Sequence, residues 1–262
     1  MRKDSLDLLL CPLCLTGGLR TDAVAAEIHF GPLTCRSCGA TFAIIDGVAD
    51  FVGSSPARGL DRLLETDLVA RNFERGIRPR IAGRLGAPAP DLDSEYLLYR
   101  SLLAARPLQP VLDLSTGPAV FARRFAVEKA HGPTFALGAY RAMLEEGAAQ
   151  VREHRLNVDL VRAHVPPLPF RAGVLGGILQ VGALGRIGEL DRHFAEVGRV
   201  LAPRARYVAT AVVASRFLPR LHLGGHAFTE RELRDRAAAA GLWRFERIQL
   251  ESRMVFKVEK PG

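Results

Sequence analysis

Four cysteines, the only ones in the 262-residue chain, carry its most specific chemistry. Cys11-Pro12-Leu13-Cys14 and Cys35-Arg36-Ser37-Cys38 are two Cys-x-x-Cys turns, a spacing that can close a tetrahedron of thiolates around Zn²⁺. Four sulfur ligands leave no open position, so such a metal is structural and not a Lewis acid. The alternative is a pair of disulfides, which a reducing compartment disfavours.

A second stretch, Val111 to Phe125 (VLDLSTGPAVFARRF), joins a short apolar run to a helical pattern. Between them lie small residues, Ser115-Thr116-Gly117-Pro118-Ala119. Strand, tight turn and helix in that order can hold a nucleotide-like ligand above a sheet edge.

The surrounding elements follow from periodicity. Residues 1–55 form a small unit that needs a metal staple to fold, with Glu27-Ile28-His29-Phe30 expected as a strand between the two turns. Residues 56–106 form a helical connecting region. There Leu60, Leu63, Leu64, Leu68 and Val69 make a packing face, and Glu95–Ala105 a helix. From residue 107 to 262 strands near 111–114, 134–138, 157–162, 174–181 and 205–213 alternate with helices near 118–128, 140–154, 189–201 and 229–240. That alternation predicts a parallel sheet covered on both faces. Trp243–Leu250 and Ser252–Val258 are too close in sequence for anything but an antiparallel hairpin.

The net charge of +8 suggests a polyanionic partner such as RNA, but the basic residues are scattered arginines apart from Arg71, Arg75, Arg78, Arg80 and Arg84. The ribbon could equally serve a protein partner. No apolar run is long enough to span a membrane, and a cytoplasmic location is expected.

Two resemblances rest on these residues. Cys38-Gly39-Ala40-Thr41-Phe42-Ala43-Ile44-Ile45-Asp46-Gly47-Val48 resembles the tail of the zinc-binding module that activates RNA and protein methyltransferases. Residues 60 to 260 resemble the class I S-adenosylmethionine-dependent methyltransferases, in the branch with a fused zinc ribbon. The fold so implied is α/β, a Rossmann-like sheet ending in an antiparallel hairpin and preceded by the ribbon.

The same resemblance places Asp113, Ser115, Gly117, Ala119, Gly138, His164, Val165 and Gln180 around S-adenosylmethionine. It also marks departures. Ala119 stands in place of a glycine. Gly138 occupies the position of an acid that accepts both ribose hydroxyls, His164 that of an aspartate at the adenine, and Gly176 that of a third acid. Charge-assisted hydrogen bonds of about 1.5–3 kcal/mol make loss of the ribose acid worth about ten- to a hundredfold in affinity.

The implied activity is methyl transfer to an unspecified acceptor. The alternative is an inactive pseudo-methyltransferase serving as a binding, scaffold or activator protein. With no cysteine outside the ribbon, chemistry through a cysteine adduct is disfavoured, and Gln180-Val181-Gly182-Ala183 carries no motif for exocyclic amino methylation. His222 and His226, flanking Gly224-Gly225, read as a surface loop and not a second metal site.

Overall fold

The computed structural model describes residues 1–54, 61–80, 91–128, 131–214, 221–222 and 225–262. The strands are β1 (Leu19–Arg20), β2 (Gly31–Cys35), β3 (Thr41–Ile45), β4 (Val48–Asp50), β5 (Val111–Leu114), β6 (Thr134–Gly138), β7 (Val158–Arg162), β8 (Leu175–Gln180) and β9 (Leu201–Val212). A small hairpin of β10 (Leu221–His222) and β11 (Gly225–His226) follows, and β12 (Trp243–Leu250) and β13 (Arg253–Glu259) close the chain. The central strands β5, β6 and β8 are short runs of apolar and small residues, each preceded within two residues by glycine or proline. The principal helices are α1 (Asp61–Leu64), α2 (Asp67–Asn72), α3 (Leu92–Leu103), α4 (Val120–Glu128), α5 (Arg141–Glu153), α6 (Leu190–Val200) and α7 (Glu230–Ala239). Thr229 caps α7 as a capping box, its hydroxyl accepting from Glu232 N at 3.2 Å while the Glu232 carboxylate accepts from Thr229 N at 2.8 Å.

Eleven strands form one sheet in the order β1-β2-β3-β4-β7-β6-β5-β8-β9-β13-β12. The five from β7 to β9 are parallel, and β13 and β12 return antiparallel as the expected hairpin. The direction of strand order reverses at β5, so the loop after it opens on the crevice where ligands of such sheets bind.

The cysteine-bearing segment joins this sheet directly. Its last strand, β4, pairs in parallel with β7, with Val48, Ala49 and Asp50 opposite Leu160, Val161 and Arg162. Leu9, Leu19, Leu33 and Ile44 share one hydrophobic cluster with Leu112, Phe135 and Ile178 of the main sheet. Beside this pairing Arg2 grips the buried Asp159 through its amide at 2.7 Å and its guanidinium at 2.7 and 3.1 Å.

Two local expectations are corrected. Residues 27–30 are not a strand: Ile28 N donates to Met1 O, and Gly47 N to His29 O, so this segment is pinned by the chain start and the β3–β4 turn. The helical face also shifts, because the helix breaks at Glu65–Thr66. Leu64, Val69 and Phe73 pack with Ala70, Ala142 and Met143, while Leu63 and Leu68 are exposed. Leu60 and the Ala87–Pro90 break lie outside the described residues. Among the described residues no helix is long and apolar enough to cross a membrane.

Candidate functional site

Cys11 and Cys14 flank a turn, Cys35 ends β2, and Cys38 follows in the next turn. All four sulfurs lie within 4.8 Å of one another. Cys11 Sγ and Cys38 Sγ are 3.7 Å apart, and Cys14 Sγ and Cys35 Sγ 3.6 Å. An ion about 2.3 Å from each of four sulfurs in a tetrahedron separates them by about 3.8 Å, so the cluster fits such a metal. A disulfide needs about 2.05 Å, and all four are free thiols.

Donors converge on the sulfurs, with Gly17 N on Cys14 Sγ and both Ser37 N and Cys38 N on Cys35 Sγ, each at 3.4 Å. The Thr16 hydroxyl and the Thr16 and Gly17 amides bring the Cys14 thiol down to about 6, whereas burial pushes Cys11 up to about 12. Gly17 is required here, since a Cβ would lie 2.3 Å from Cys35 Sγ.

The loop after β5 is held from below. Asp113 is buried, and its carboxylate accepts from Ala122 N at 3.0 Å and from the Thr116 hydroxyl. It ties the turn to the first turn of α4 instead of facing the crevice. Burial raises its pKa to about 7, against those hydrogen bonds. Ser115, Gly117 and Ala119 take positive φ of 61, 56 and 58°.

Ala119 is fully buried among Ala122, Ala136, Leu144 and Ala148. Its methyl faces the α4–α5 layer and not the crevice. Gly117 meets the ring of Phe73, whose Cε1 would be 3.2 Å from a Cβ there.

Gln180, at the carboxyl end of β8, is also fully buried. Its Nε2 donates to Ser115 Oγ at 3.3 Å, and its Oε1 accepts from the Tyr207 hydroxyl and from His193 Nε2 at 3.0 Å. Burial lowers the His193 pKa to about 4, which keeps the ring neutral. Like Asp113, Gln180 braces the loop. His193 and Tyr207 gave no motif in the sequence and emerge only from this network.

At the ends of β6 and β7, Gly138 is buried and stands opposite Arg162 in register. A Cβ at 138 would meet only Leu144 at 3.6 Å and Thr116 at 3.8 Å, so sterics do not demand glycine. Arg162 is buried and donates to Ala139 O at 3.1 Å, Gly53 O at 2.7 Å and Asp50 Oδ2 at 3.1 Å. Arg141 reaches the same Asp50 oxygen at 2.7 Å. His164 is exposed and Val165 half-buried just beyond β7.

Gly176 lies elsewhere, at the start of β8, where a Cβ would collide with Gln109 at 2.3 Å. Its missing acid therefore belongs to packing at the far end of the sheet and not to the crevice. Gly185 likewise has no room for a side chain, its Cβ position lying 2.4 Å from His226 O.

Residues 61–77 run across this edge. Asp61 pairs with Arg186, which also donates to the Tyr140 hydroxyl. The Glu65 carboxylate accepts from Ala142 N at 3.3 Å and from Arg162 at 3.4 Å. Glu74 pairs with Arg123, and Arg78 turns inward to Glu95 and the Phe121 ring. Arg78 is thus not part of an open basic patch, and Arg84 lies outside the described residues. No signal in the sequence marked Phe73, Glu65 or Asp50, whose roles depend on which strand ends they meet.

No family model matches the chain. Two proteins of Arabidopsis thaliana, both described as uncharacterized chloroplastic methyltransferases, are similar to it. One is 26% identical over 293 residues, covering 97% of this chain and 79% of the relative. The other is 23% identical over 275 residues, covering 96% and 77%.

Among solved structures, Haemonchus contortus phosphoethanolamine N-methyltransferase 2 with S-adenosylmethionine superposes with a TM-score of 0.62 at 14% identity, over 78% of this chain and 59% of that one. A chain from the complex between the Haloferax volcanii Trm112 methyltransferase activator and a methyltransferase gives 0.57 at 15%, over 75% and 97%. The [4+2]-cyclase SpnF gives 0.59 at 17%, over 64% and 80%. The fold is that of the Rossmann-like methyltransferase structures. A cyclase among these neighbours means that the fold alone does not name the reaction.

Proposed function

We propose that this chain is an S-adenosylmethionine-dependent methyltransferase whose cofactor crevice is completed by an integral zinc ribbon. The observation that carries the reading is the position of the β5 loop. It opens at the point where strand order reverses, with left-handed backbone at 115, 117 and 119 and the Phe73 ring lying against Gly117. S-adenosylmethionine held there supplies an electrophilic methyl group.

The chain's own residues then have separable tasks. Asp113 and Gln180 hold the loop rigid from below, and Phe73 packs on Gly117 and shields the loop from water. Ala139, His164 and Val165 line the edge on which the adenine would rest. Transfer of a methyl group to a good nucleophile needs mainly in-line positioning, so no strong base is required. In the ribbon, four thiolates are the donor set that zinc takes in closed structural sites.

Calorimetry with S-adenosylmethionine and S-adenosylhomocysteine tests the reading. Micromolar binding at one site per chain is expected, and absent or millimolar binding overturns it. A second reading, a retained fold acting as scaffold, is favoured by Gly138, where a Cβ would not clash yet no acid is found. It predicts that absence of binding.

A further inference from the structure

An adenosine ligand presents a cis-diol, and Rossmann-like sheets meet it with a carboxylate about twenty residues beyond the glycine turn, at the end of the second strand. Gly138 is at that place and has none. Three observations locate a replacement. The Glu65 carboxylate accepts from Ala142 N at 3.3 Å, four positions beyond Gly138 at the start of α5. It also accepts at 3.4 Å from Arg162, the register partner of Gly138. Arg162 in turn donates to Ala139 O, so one guanidinium separates Glu65 from the peptide next to Gly138.

Glu65 is not the only partner of that guanidinium, although Asp50 is shared with Arg141. Arg162 already has Asp50 at 3.1 Å and the carbonyls of Gly53 and Ala139 at 2.7 and 3.1 Å. Both contacts of Glu65 are long, and a carboxylate has about four lone-pair sites, so acceptor capacity remains. A Cβ at 138 would make ordinary contact with Leu144 and Thr116, without a clash.

Resting on the cofactor reading above, we infer that Glu65, carried by the segment crossing the sheet edge, is the acceptor for the ribose hydroxyls of the adenosine ligand. The acid lost from β6 is supplied from a different element.

The test is calorimetric titration of the full chain with S-adenosylhomocysteine and with its 2′-deoxy analogue. Parent, Glu65→Gln and the double variant Glu65→Gln/Gly138→Asp are compared, with thermal melts to check folding. The expected result is a loss of about ten- to a hundredfold for Glu65→Gln. Its discrimination against the deoxy analogue should largely vanish, since the two deletions remove one contact and cannot add. The double variant should regain much of the affinity.

If the parent binds and Glu65→Gln binds within about twofold of it, the inference falls and the cofactor reading stands. Weaker binding with undiminished discrimination against the deoxy analogue assigns Glu65 a merely structural part and also overturns it. A parent that binds neither ligand overturns the cofactor reading itself, and this inference with it.

Discussion

Gly147 on α5 leaves out its side chain in favour of Ala119: a Cβ at 147 would lie 3.3 Å from the Ala119 methyl and 3.1 Å from the Pro118 carbonyl carbon. The neighbour on the Pro118 side is backbone, which cannot swing away. Gly147→Ala should therefore destabilise by about 1–3 kcal/mol, as overpacking does, despite the better helix propensity of alanine. Ala119→Gly should be close to neutral. Relief of the positive φ gains about 1–2 kcal/mol, and the lost buried methyl gives back about 0.8 kcal/mol or more. Urea midpoints of the two variants check both statements, and a neutral Gly147→Ala would sink the first.

Asp50 joins β4 to two arginines, of which Arg162 is buried. Removing one partner of a buried ion pair leaves an uncompensated charge. Asp50→Asn should cost about 3–5 kcal/mol, reduced to the extent that Glu65 turns further toward Arg162. Equilibrium denaturation reads this directly. A loss under about 1 kcal/mol would mean that the carbonyls of Gly53 and Ala139 suffice.

Two buried groups contribute opposing responses to pH. Asp113 titrates at about 7 in the fold against 3.8 ordinarily. The folded chain thus binds more protons between those values, and stability falls as pH rises through them. His193 titrates at about 4 against 6.5. There the unfolded chain binds more protons, so stability falls as pH drops through that window. The two slopes partly cancel from about pH 4.5 to 6.5. Asp113→Asn should leave the His193 slope exposed and make the chain acid-sensitive, while His193→Gln should leave a chain that weakens toward neutrality. Urea midpoints across this range check it, and unchanged profiles in both variants would refute the assignment.

Elemental analysis should find one zinc per chain. Stripping it with a chelator should remove amide protection first from Leu19–Asp50, while β5 to β9 keep theirs, because the metal staples only that segment. Hydrogen exchange reports both parts. Full protection of Leu19–Asp50 in a metal-free chain would show that the shared core alone holds it.

The central sheet was legible because local pattern and global role agree. Val111–Leu114 and Thr134–Gly138 are short apolar runs between turn residues, and they form strands over the expected spans. The closing hairpin followed from spacing alone. β4 could not be read as part of that sheet. Three residues are too few for periodicity, and their partner on β7 is more than a hundred positions away.

At the site, sequence placed Asp113, Ser115, Gly117 and Gln180 together, and they do meet around the loop. It gave no direction for a side chain, so the buried Asp113, Gln180 and Ala119 were read as facing the ligand. It also grouped Gly176 with Gly138 although they lie at opposite ends of their strands. Leu63 and Leu68 were misjudged because the break at Glu65–Thr66 resets the helical phase, which no breaker residue announces.

The parallel pairing of β4 with β7 has one further consequence. Strand addition to a sheet edge is a recurrent way for one protein to engage another, and between separate chains its occupancy depends on concentration. Here the added strand is covalently tethered to the sheet it completes, so its effective concentration is set by the tether and not by the concentration of the protein. Dilution cannot dissociate it. A free activator module of similar shape would find that edge already taken, so this chain should be indifferent to partners that work by lending a strand there.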